Sequence, residues 1–209
     1  MKDYSAYLFD MDGTLVNSEP LKGKALSLAC KDFGAEVDFN IYKRVMGESW
    51  AAVTTHFFEE GGISPDLDAF NLCFRKHYEG LLSQELALHS GAFNYLVYLK
   101  QSGKACALVS SAAPWMVEQI LKSLQIESLF DVVITQADVS QHKPSPEAYL
   151  LALERLDVSP EESVVIEDSV AGIEAGRSSG CDVFAIRHDF NAMNDFQHAK
   201  GVISSFEEL

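Results

Sequence analysis

The sequence has few basic residues and no long apolar run, and each shortage excludes a class of function. Lysine and arginine total 16 against 31 aspartate and glutamate residues, so the formal net charge is −15. Nucleic acids and anionic membrane surfaces are bound by basic surfaces, so we expect neither as a partner. No apolar run approaches the roughly 20 residues that cross a bilayer, so we also expect no membrane span.

Cysteine is also scarce. The four cysteines are spread along the chain and form no CxxC pair, which is typical of a reducing compartment. The first residues lead directly into a predicted strand, so we expect no secretory signal peptide. We therefore expect a cytoplasmic protein that is a monomer or a weak homo-oligomer.

The most informative pattern that is present is an acidic pair after a short apolar run. Residues 4–9 are mostly apolar and aromatic, which predicts a buried β-strand, and Asp10 and Asp12 follow it. Gly13 permits a tight turn or a close backbone approach to a ligand. Two carboxylates this close need a counterion, a shared proton or a divalent metal to remain ionised. The pair therefore predicts chemistry at the carboxyl end of the strand.

The pattern of apolar residues changes from helical to alternating near residue 90. Residues 17 to about 83 show apolar stripes at helical spacing and no convincing strand. Further along, predicted helices alternate with predicted strands at 105–109, 132–135, 164–166 and 183–186. Such alternation indicates an α/β fold with a doubly wound parallel sheet. Because the first strand belongs to this sheet, we predict a core of 1–16 and 86–209 and a helical insert of 17–85.

Polar residues follow four of the predicted strands, where sites in such sheets lie. They are Asp10 and Asp12, Ser110 and Ser111, Lys143, and Glu167 and Asp168. Taken singly, each set has a structural explanation: a turn for the serines, a solvated loop charge for the lysine, and a complement to a helix dipole for the later acids. Together, the acids could hold one Mg²⁺ through oxygen ligands. A hydroxyl and an ammonium beside them would complete a phosphoryl site.

The order Asp-x-Asp-Gly-Thr, Ser, Lys-Pro and Glu-Asp-Ser resembles the haloacid dehalogenase superfamily of phosphohydrolases over nearly the whole chain. Segments 9–20 and 166–173 are most similar to the branch of β-phosphoglucomutase-like sugar phosphatases. The resemblance implies a Rossmann-like core with a small, all-helical cap domain. It also implies a Mg²⁺-dependent phosphatase acting on a small phosphate ester, of a sugar or a polyol.

The resemblance assigns the phosphoryl chemistry to individual residues. Asp10 would attack phosphorus to give an aspartyl-phosphate. Asp12 would protonate the leaving alcohol and then take a proton from the water that hydrolyses the intermediate. Ser110 and the main-chain amides near Met11 and Asp12 would bind phosphoryl oxygens, with Ser111 beside them.

The resemblance likewise assigns the charges around the nucleophile. Lys143 would offset the negative charge gathered at Asp10 and the phosphate. Mg²⁺ would be held by the Asp10 carboxylate, the Asp12 backbone carbonyl and Asp168. Glu167 would be a fourth ligand, either direct or through water.

Two other functions stay open. Lys22 stands where mutases of this branch carry a histidine, and residues 46–50 lack the arginine of their cap loop, so a hydrolase is favoured over a β-phosphoglucomutase-type isomerase. An inactive phosphometabolite-binding protein is disfavoured because every chemical position is filled.

Lys22, Gly47 and Trp50 are candidates for substrate selection, although Lys22 also suits a surface charge and Trp50 suits packing. The histidines lack metal-site spacing and receive no catalytic role; His142 is nearest to the chemistry along the chain.

Overall fold

A computed structural model describes residues 2–46 and 48–209, which form two compact units. One unit comprises the described residues of Met1–Val16 together with Leu88–Leu209, and the other is Asn17–Ala87. The predicted insert of 17–85 lies within the second unit. In the described part of the chain, no helix has both the length and the apolar character needed to cross a membrane.

The larger unit is built on a sheet of parallel strands. In the described residues these are β1 (Ala6–Phe9), β2 (Ala105–Val109), β3 (Val132–Ile134), β4 (Ser163–Glu167), β5 (Asp182–Ile186) and β6 (Gly201–Ile203). Their order across the sheet is β3-β2-β1-β4-β5-β6, and all neighbours are parallel. This confirms the predicted fold class and the first five strands. The sequence pattern does not predict β6, whose three residues are too few to show alternation.

The smaller unit is helical, as its apolar stripes predict. Its helices are α1 (Ser18–Asp32), α2 (Tyr42–Val45), α3 (Trp50–Gly61) and α4 (Leu67–Glu85), with a 3₁₀ turn at Phe39–Ile41. Ser49 and Asp66 cap α3 and α4 by accepting hydrogen bonds from backbone amides of the first turn. Phe57, Phe70 and Tyr78 are buried, so the aromatic stripes of α3 and α4 form the core of this unit.

Helices cover both faces of the sheet. They are α5 (Ala92–Gln101), α6 (Pro114–Leu124), α7 (Glu147–Leu156) and α8 (Val170–Ser178), and 3₁₀ turns lie at Glu127–Leu129, Gln136–Asp138, Pro160–Glu162 and Phe206–Glu208. Successive side chains of a strand point to opposite faces. Leu8 accordingly belongs to the cluster containing residues of α7 and α8, whereas Phe9 packs against Tyr95 of α5 and against Phe206. Helices cover the two faces of the sheet, and the loops with the polar residues lie at its carboxyl edge.

Candidate active site

The register of the sheet brings two of the predicted acids together. Phe9 of β1 pairs with Leu108 of β2 and with Ile166 of β4. Asp10 directly follows β1 and Glu167 is the last residue of β4, so the two acids are neighbours at the carboxyl edge. The Asp10 amide also donates to the Ile166 carbonyl at 3.0 Å, which fixes the backbone of the first acid against β4.

Lys143 connects three strand ends through one ammonium group. Its Nζ donates to Asp10 Oδ1 at 2.7 Å, to Glu167 Oε1 at 2.8 Å and to the Val109 carbonyl at 3.0 Å. The Lys143 side chain is only 7 % exposed. Burial lowers the pKa of Lys143, but the attraction of Asp10 and Glu167 outweighs burial and holds the pKa well above its ordinary value. Lys143 therefore carries a positive charge beside these two acids, and its predicted role toward a phosphate stays a prediction.

Glu167 is fully buried, and both of its oxygens accept hydrogen bonds. Oε1 accepts from Lys143 and, at 3.1 Å, from the Tyr149 hydroxyl. Oε2 accepts from the backbone amides of Asp168 and Ser169 and from the Ser169 hydroxyl, at 2.9–3.0 Å. Sequence reasoning missed Tyr149, which lies on α7 and carries no local signal of a role. This network fixes the Glu167 carboxylate in one orientation.

The loop after β1 turns tightly and meets the end of β4. Gly13 has a φ of +78°, and its amide donates to the Val16 carbonyl at 2.9 Å. A Cβ on Gly13 would lie 2.2 Å from Asp168 Oδ2 and 3.0 Å from His188 Nε2. Gly13 therefore forms a tight turn, as predicted, and also approaches the side chains of Asp168 and His188 closely. Its predicted close approach to a ligand stays a prediction.

His188 was missed as a residue of this region. Its Nε2 lies 2.9 Å from Asp168 Oδ2, whereas His142, the histidine taken as nearest to the chemistry, is exposed. His188 follows β5, two residues after the last residue of that strand. A histidine after a parallel strand is the signal that could have placed it at this edge.

Three buried carboxylates form a cluster that fits a divalent cation. Asp10, Glu167 and Asp168 each offer an oxygen, and these atoms lie within 4.8 Å of one another. Burial, then the charge of Glu167, raises the pKa of Asp10 well above its ordinary value, and Lys143 offsets this only in part. One ammonium therefore does not balance three acids. An excess of negative charge on oxygen donors alone fits Mg²⁺.

Ser110, directly after β2, stabilises the turn that follows this strand. Ser110 is buried, its amide donates to the Ile134 carbonyl at 2.9 Å, and its Oγ accepts from the Ala112 amide at 3.0 Å. Because the hydroxyl accepts in that bond, its own hydrogen can still donate to an anion. Ser111 is exposed. The turn interpretation of Ser110 and a phosphate-binding role are therefore compatible.

Met11 and Asp12 lie in the turn that follows β1. The Met11 carbonyl accepts from the amides of Leu15 and Val16, and the Met11 side chain is buried. Asp12 is partly exposed and forms an isolated bridge with Val16. The three acids that could hold a metal do not include the Asp12 carboxylate. The predicted roles of the Asp12 carbonyl in metal binding and of its side chain in proton transfer stay predictions.

The candidate selectivity residues of the helical unit have internal partners. Lys22 Nζ lies 3.2 Å from Glu19 Oε1. Trp50 Nε1 donates to Asn71 Oδ1 at 2.9 Å, and its ring packs against an aromatic ring of α4, which favours the packing interpretation of this tryptophan. Gly47 lies outside the described residues. Substrate selection by these three positions stays a prediction.

Comparison with known proteins identifies the family. A family model described as haloacid dehalogenase-like hydrolase matches residues 7–186. The chain belongs to this family. The hydrolase core thus includes the acidic turn after β1, Lys143 and the Glu167–Asp168 pair within the matched region.

Several relatives of this hydrolase are named as phosphatases of phosphorylated carbohydrates and related compounds. The phosphorylated carbohydrates phosphatase of Thermotoga maritima is 32% identical over 187 residues, covering 89% of this chain and 87% of that protein. The validoxylamine A 7'-phosphate phosphatase of Streptomyces hygroscopicus subsp. limoneus is 33% identical over 195 residues, with 91% and 90% covered. A crystal structure from Thermotoga maritima, provisionally assigned as a β-phosphoglucomutase, has a TM-score of 0.82 at 30% identity and covers 95% and 94%. These similarities support the β-phosphoglucomutase-like sugar phosphatase branch.

Proposed function

We propose that this hydrolase is a Mg²⁺-dependent phosphatase of a small phosphorylated metabolite, of the sugar or polyol phosphate class. The observation that carries the proposal is the cluster of Asp10, Glu167 and Asp168, with ligand oxygens within 4.8 Å and Lys143 bonded to two of the acids. Relatives named as phosphatases of phosphorylated carbohydrates support the same chemistry.

Asp10 is the proposed nucleophile and Asp12 the proposed acid and base. Attack by Asp10 on phosphorus forms an aspartyl-phosphate and releases the alcohol, which Asp12 protonates. Asp12 then removes a proton from the water that hydrolyses the intermediate. The environments of the two acids support this division, because Asp10 is buried against Lys143 whereas Asp12 is partly exposed.

The phosphoryl oxygens would be bound by groups from two neighbouring loops. We propose that the backbone amides near Met11 and Asp12 bind on one side, and that Ser110 and Ser111 bind on the other. The position of Ser110 directly after β2, which lies beside β1, supports this arrangement. Lys143 would offset the charge that develops during transfer.

The metal would be held by the Asp10 and Asp168 carboxylates and the Asp12 carbonyl. Glu167 already accepts hydrogen bonds at both oxygens, so we propose that it acts through a bound water and chiefly orients Lys143. When bound, Mg²⁺ would neutralise phosphoryl oxygens and lower the cost of bringing an anion to these acids.

Release of phosphate from an aryl phosphate tests the proposal. We expect turnover with Mg²⁺, loss of turnover with EDTA, and a fall of at least about 10³-fold in Asp10→Asn, because the variant lacks the nucleophile. Asp195→Asn, at an exposed carboxylate, is the matched control. Undiminished turnover by Asp10→Asn would overturn the proposal. A screen of sugar, polyol and nucleotide phosphates would then identify the substrate class.

A mutase of the same branch is the second candidate, favoured by the similarity to the structure assigned as a β-phosphoglucomutase. A mutase supplied with β-glucose 1-phosphate and a trace of the bisphosphate would form glucose 6-phosphate faster than free phosphate. The phosphatase predicts the reverse. Tight binding of phosphate esters with no turnover would instead indicate an inactive binding protein.

The cap, the cellular location and the partners of this protein are the subject of further proposals. We propose that Lys22, Gly47 and Trp50 in the helical cap influence substrate choice, as the resemblance implies. A cytoplasmic location is supported by the four cysteines, which are free thiols. The negative net charge supports a small-molecule partner over nucleic acid or membrane, and we propose a monomer or weak homo-oligomer.

A further inference from the structure

The segment after β5 lies against the acidic end of β4. His188 Nε2 is 2.9 Å from Asp168 Oδ2, and the two side chains are 13% and 5% exposed. Gly13 lies close to both groups, because an added Cβ would be 2.2 Å from Asp168 Oδ2 and 3.0 Å from His188 Nε2. The contact between Asp168 and His188 is therefore tightly packed against the turn after β1.

The hydrogen bonds of His188 determine which nitrogen carries the proton in the neutral ring. The Phe190 backbone amide donates to His188 Nδ1 at 3.2 Å. A ring nitrogen that accepts a hydrogen bond carries no hydrogen, so the hydrogen is on Nε2. His188 Nε2–H then donates to Asp168 Oδ2.

Asn191 fixes the backbones of both partners. It is fully buried, and its Oδ1 accepts from the His188 amide at 2.8 Å. Its Nδ2 donates to the carbonyls of Asp168 and Ile186, each at 2.9 Å. Each polar atom of this amide is paired, so Asn191 holds the segment after β5 in register with the end of β4.

We propose that His188 is a positioning residue of the metal site, which orients the Asp168 carboxylate through its Nε2–H and is itself held by Asn191. The inference rests on the proposed function, since Asp168 is a metal ligand only there. A hydrogen-bond donor that fixes a ligating carboxylate reduces the conformational entropy that this side chain loses when the cation binds, and so it strengthens metal binding. Removal of such outer partners typically weakens metal binding by about 10–100-fold.

Direct binding of Mn²⁺, followed by electron paramagnetic resonance, tests the proposal without turnover. In His188→Gln the amide nitrogen reaches the position of Nε2, whereas in His188→Asn it reaches only that of Nδ1. We expect His188→Asn and His188→Phe to raise the Mn²⁺ dissociation constant by about 10–100-fold, and His188→Gln to stay within about threefold of the wild type. His198, like His188, lies between β5 and β6, but it is exposed. His198→Phe should therefore bind Mn²⁺ like the wild type.

The variant Asp168→Asn separates failure of this inference from failure of the proposed function. If Asp168→Asn loses Mn²⁺ binding while the His188→Asn and His188→Phe variants retain it, the positioning role is wrong and the metal site stands. If Asp168→Asn also binds normally, the proposed metal site itself is wrong. Equal weakening in all three His188 variants would show that the ring and not its donor matters, which also overturns the inference. Circular dichroism checks folding, and His188→Asn replaces His188→Phe should the apolar variant fail to fold.

Discussion

Lys143 Nζ lies 2.7 Å from Asp10 Oδ1, and both side chains are almost fully buried. The same ammonium is bonded to Glu167, so one cation is shared by the proposed nucleophile and a buried acid. Removing one partner of a buried pair leaves an uncompensated charge, which costs far more than the pair contributes. The position of Lys143 therefore connects the stability of the core to its chemistry.

Replacement of Lys143 by methionine should lower both stability and activity. We expect the free energy of unfolding to fall by about 3–5 kcal/mol and turnover to fall by at least about 10²-fold, because buried carboxylates lose their cation. Urea denaturation and steady-state phosphate release measure the two effects. Lys122→Met is the control, since Lys122 is paired with Glu118 on the surface and its replacement should leave stability nearly unchanged. Near-normal turnover by Lys143→Met would contradict the assigned role.

Gly13→Ala should disrupt the acidic site through steric overlap. Its Cβ would lie 2.2 Å from Asp168 Oδ2, and its φ of +78° is unfavourable for alanine. Gly103 has a φ of +70° with nothing within 4 Å of an added Cβ, so Gly103→Ala isolates the backbone strain. We expect Gly103→Ala to cost about 1 kcal/mol with normal turnover. Gly13→Ala should cost more and lose Mn²⁺ binding; equal effects of the two variants would contradict the steric argument.

Tyr149→Phe should weaken the network around Glu167 while keeping the aromatic ring near Lys143. The hydroxyl donates to Glu167 at 3.1 Å, and Lys143 Nζ lies 5.0 Å from the ring centroid. We expect a loss of about 1–2 kcal/mol in the free energy of unfolding, because one hydrogen bond to a buried charge is removed. Tyr98→Phe, at an exposed ring, is the control and should leave unfolding unchanged. Unchanged stability of Tyr149→Phe would show that the hydroxyl is dispensable.

His89 should make the protein less stable in acid. Burial, then the neighbouring His188, lowers the pKa of His89 from 6.5 to about 4. Between these values the unfolded chain binds a proton that the folded chain does not, so stability is lost as the pH falls from 6.5 towards 4. The full shift corresponds to roughly 3 kcal/mol, and partial exposure of His89 reduces this to about 1–2 kcal/mol.

Comparison with His89→Gln isolates this titration. Urea unfolding at pH 7 and at pH 4.5 should show a larger loss of stability for the wild type than for His89→Gln, by the same roughly 1–2 kcal/mol. His198→Gln, at an exposed histidine, should keep the wild-type dependence. An equal loss of stability between pH 7 and pH 4.5 in the wild type and in His89→Gln would show that other groups cause the acid sensitivity.

Much of the fold could be predicted because its signals are local. The alternation of apolar runs and amphipathic stretches predicts β1 to β5 and the helices between them, since these patterns depend on residues a few positions apart. The short β6 shows the limit of this reasoning. Its three residues pair with β5 in the folded sheet, and pairing with a distant strand leaves no local pattern.

The sequence by itself determined the α/β class, the helical character of the insert, the acidic and hydroxyl residues at the strand ends and the lysine in the loop after β3. Residue types and strand ends are properties of short segments, so they can be recognised before the strand order is known. Only the tertiary structure decided that Glu167 anchors Lys143 and Tyr149, and that His188 and Asn191 support Asp168. These contacts join residues 18–24 positions apart, and they exist because parallel packing places β4 between β1 and β5. The order of strands comes from long-range packing, which short sequence patterns do not encode.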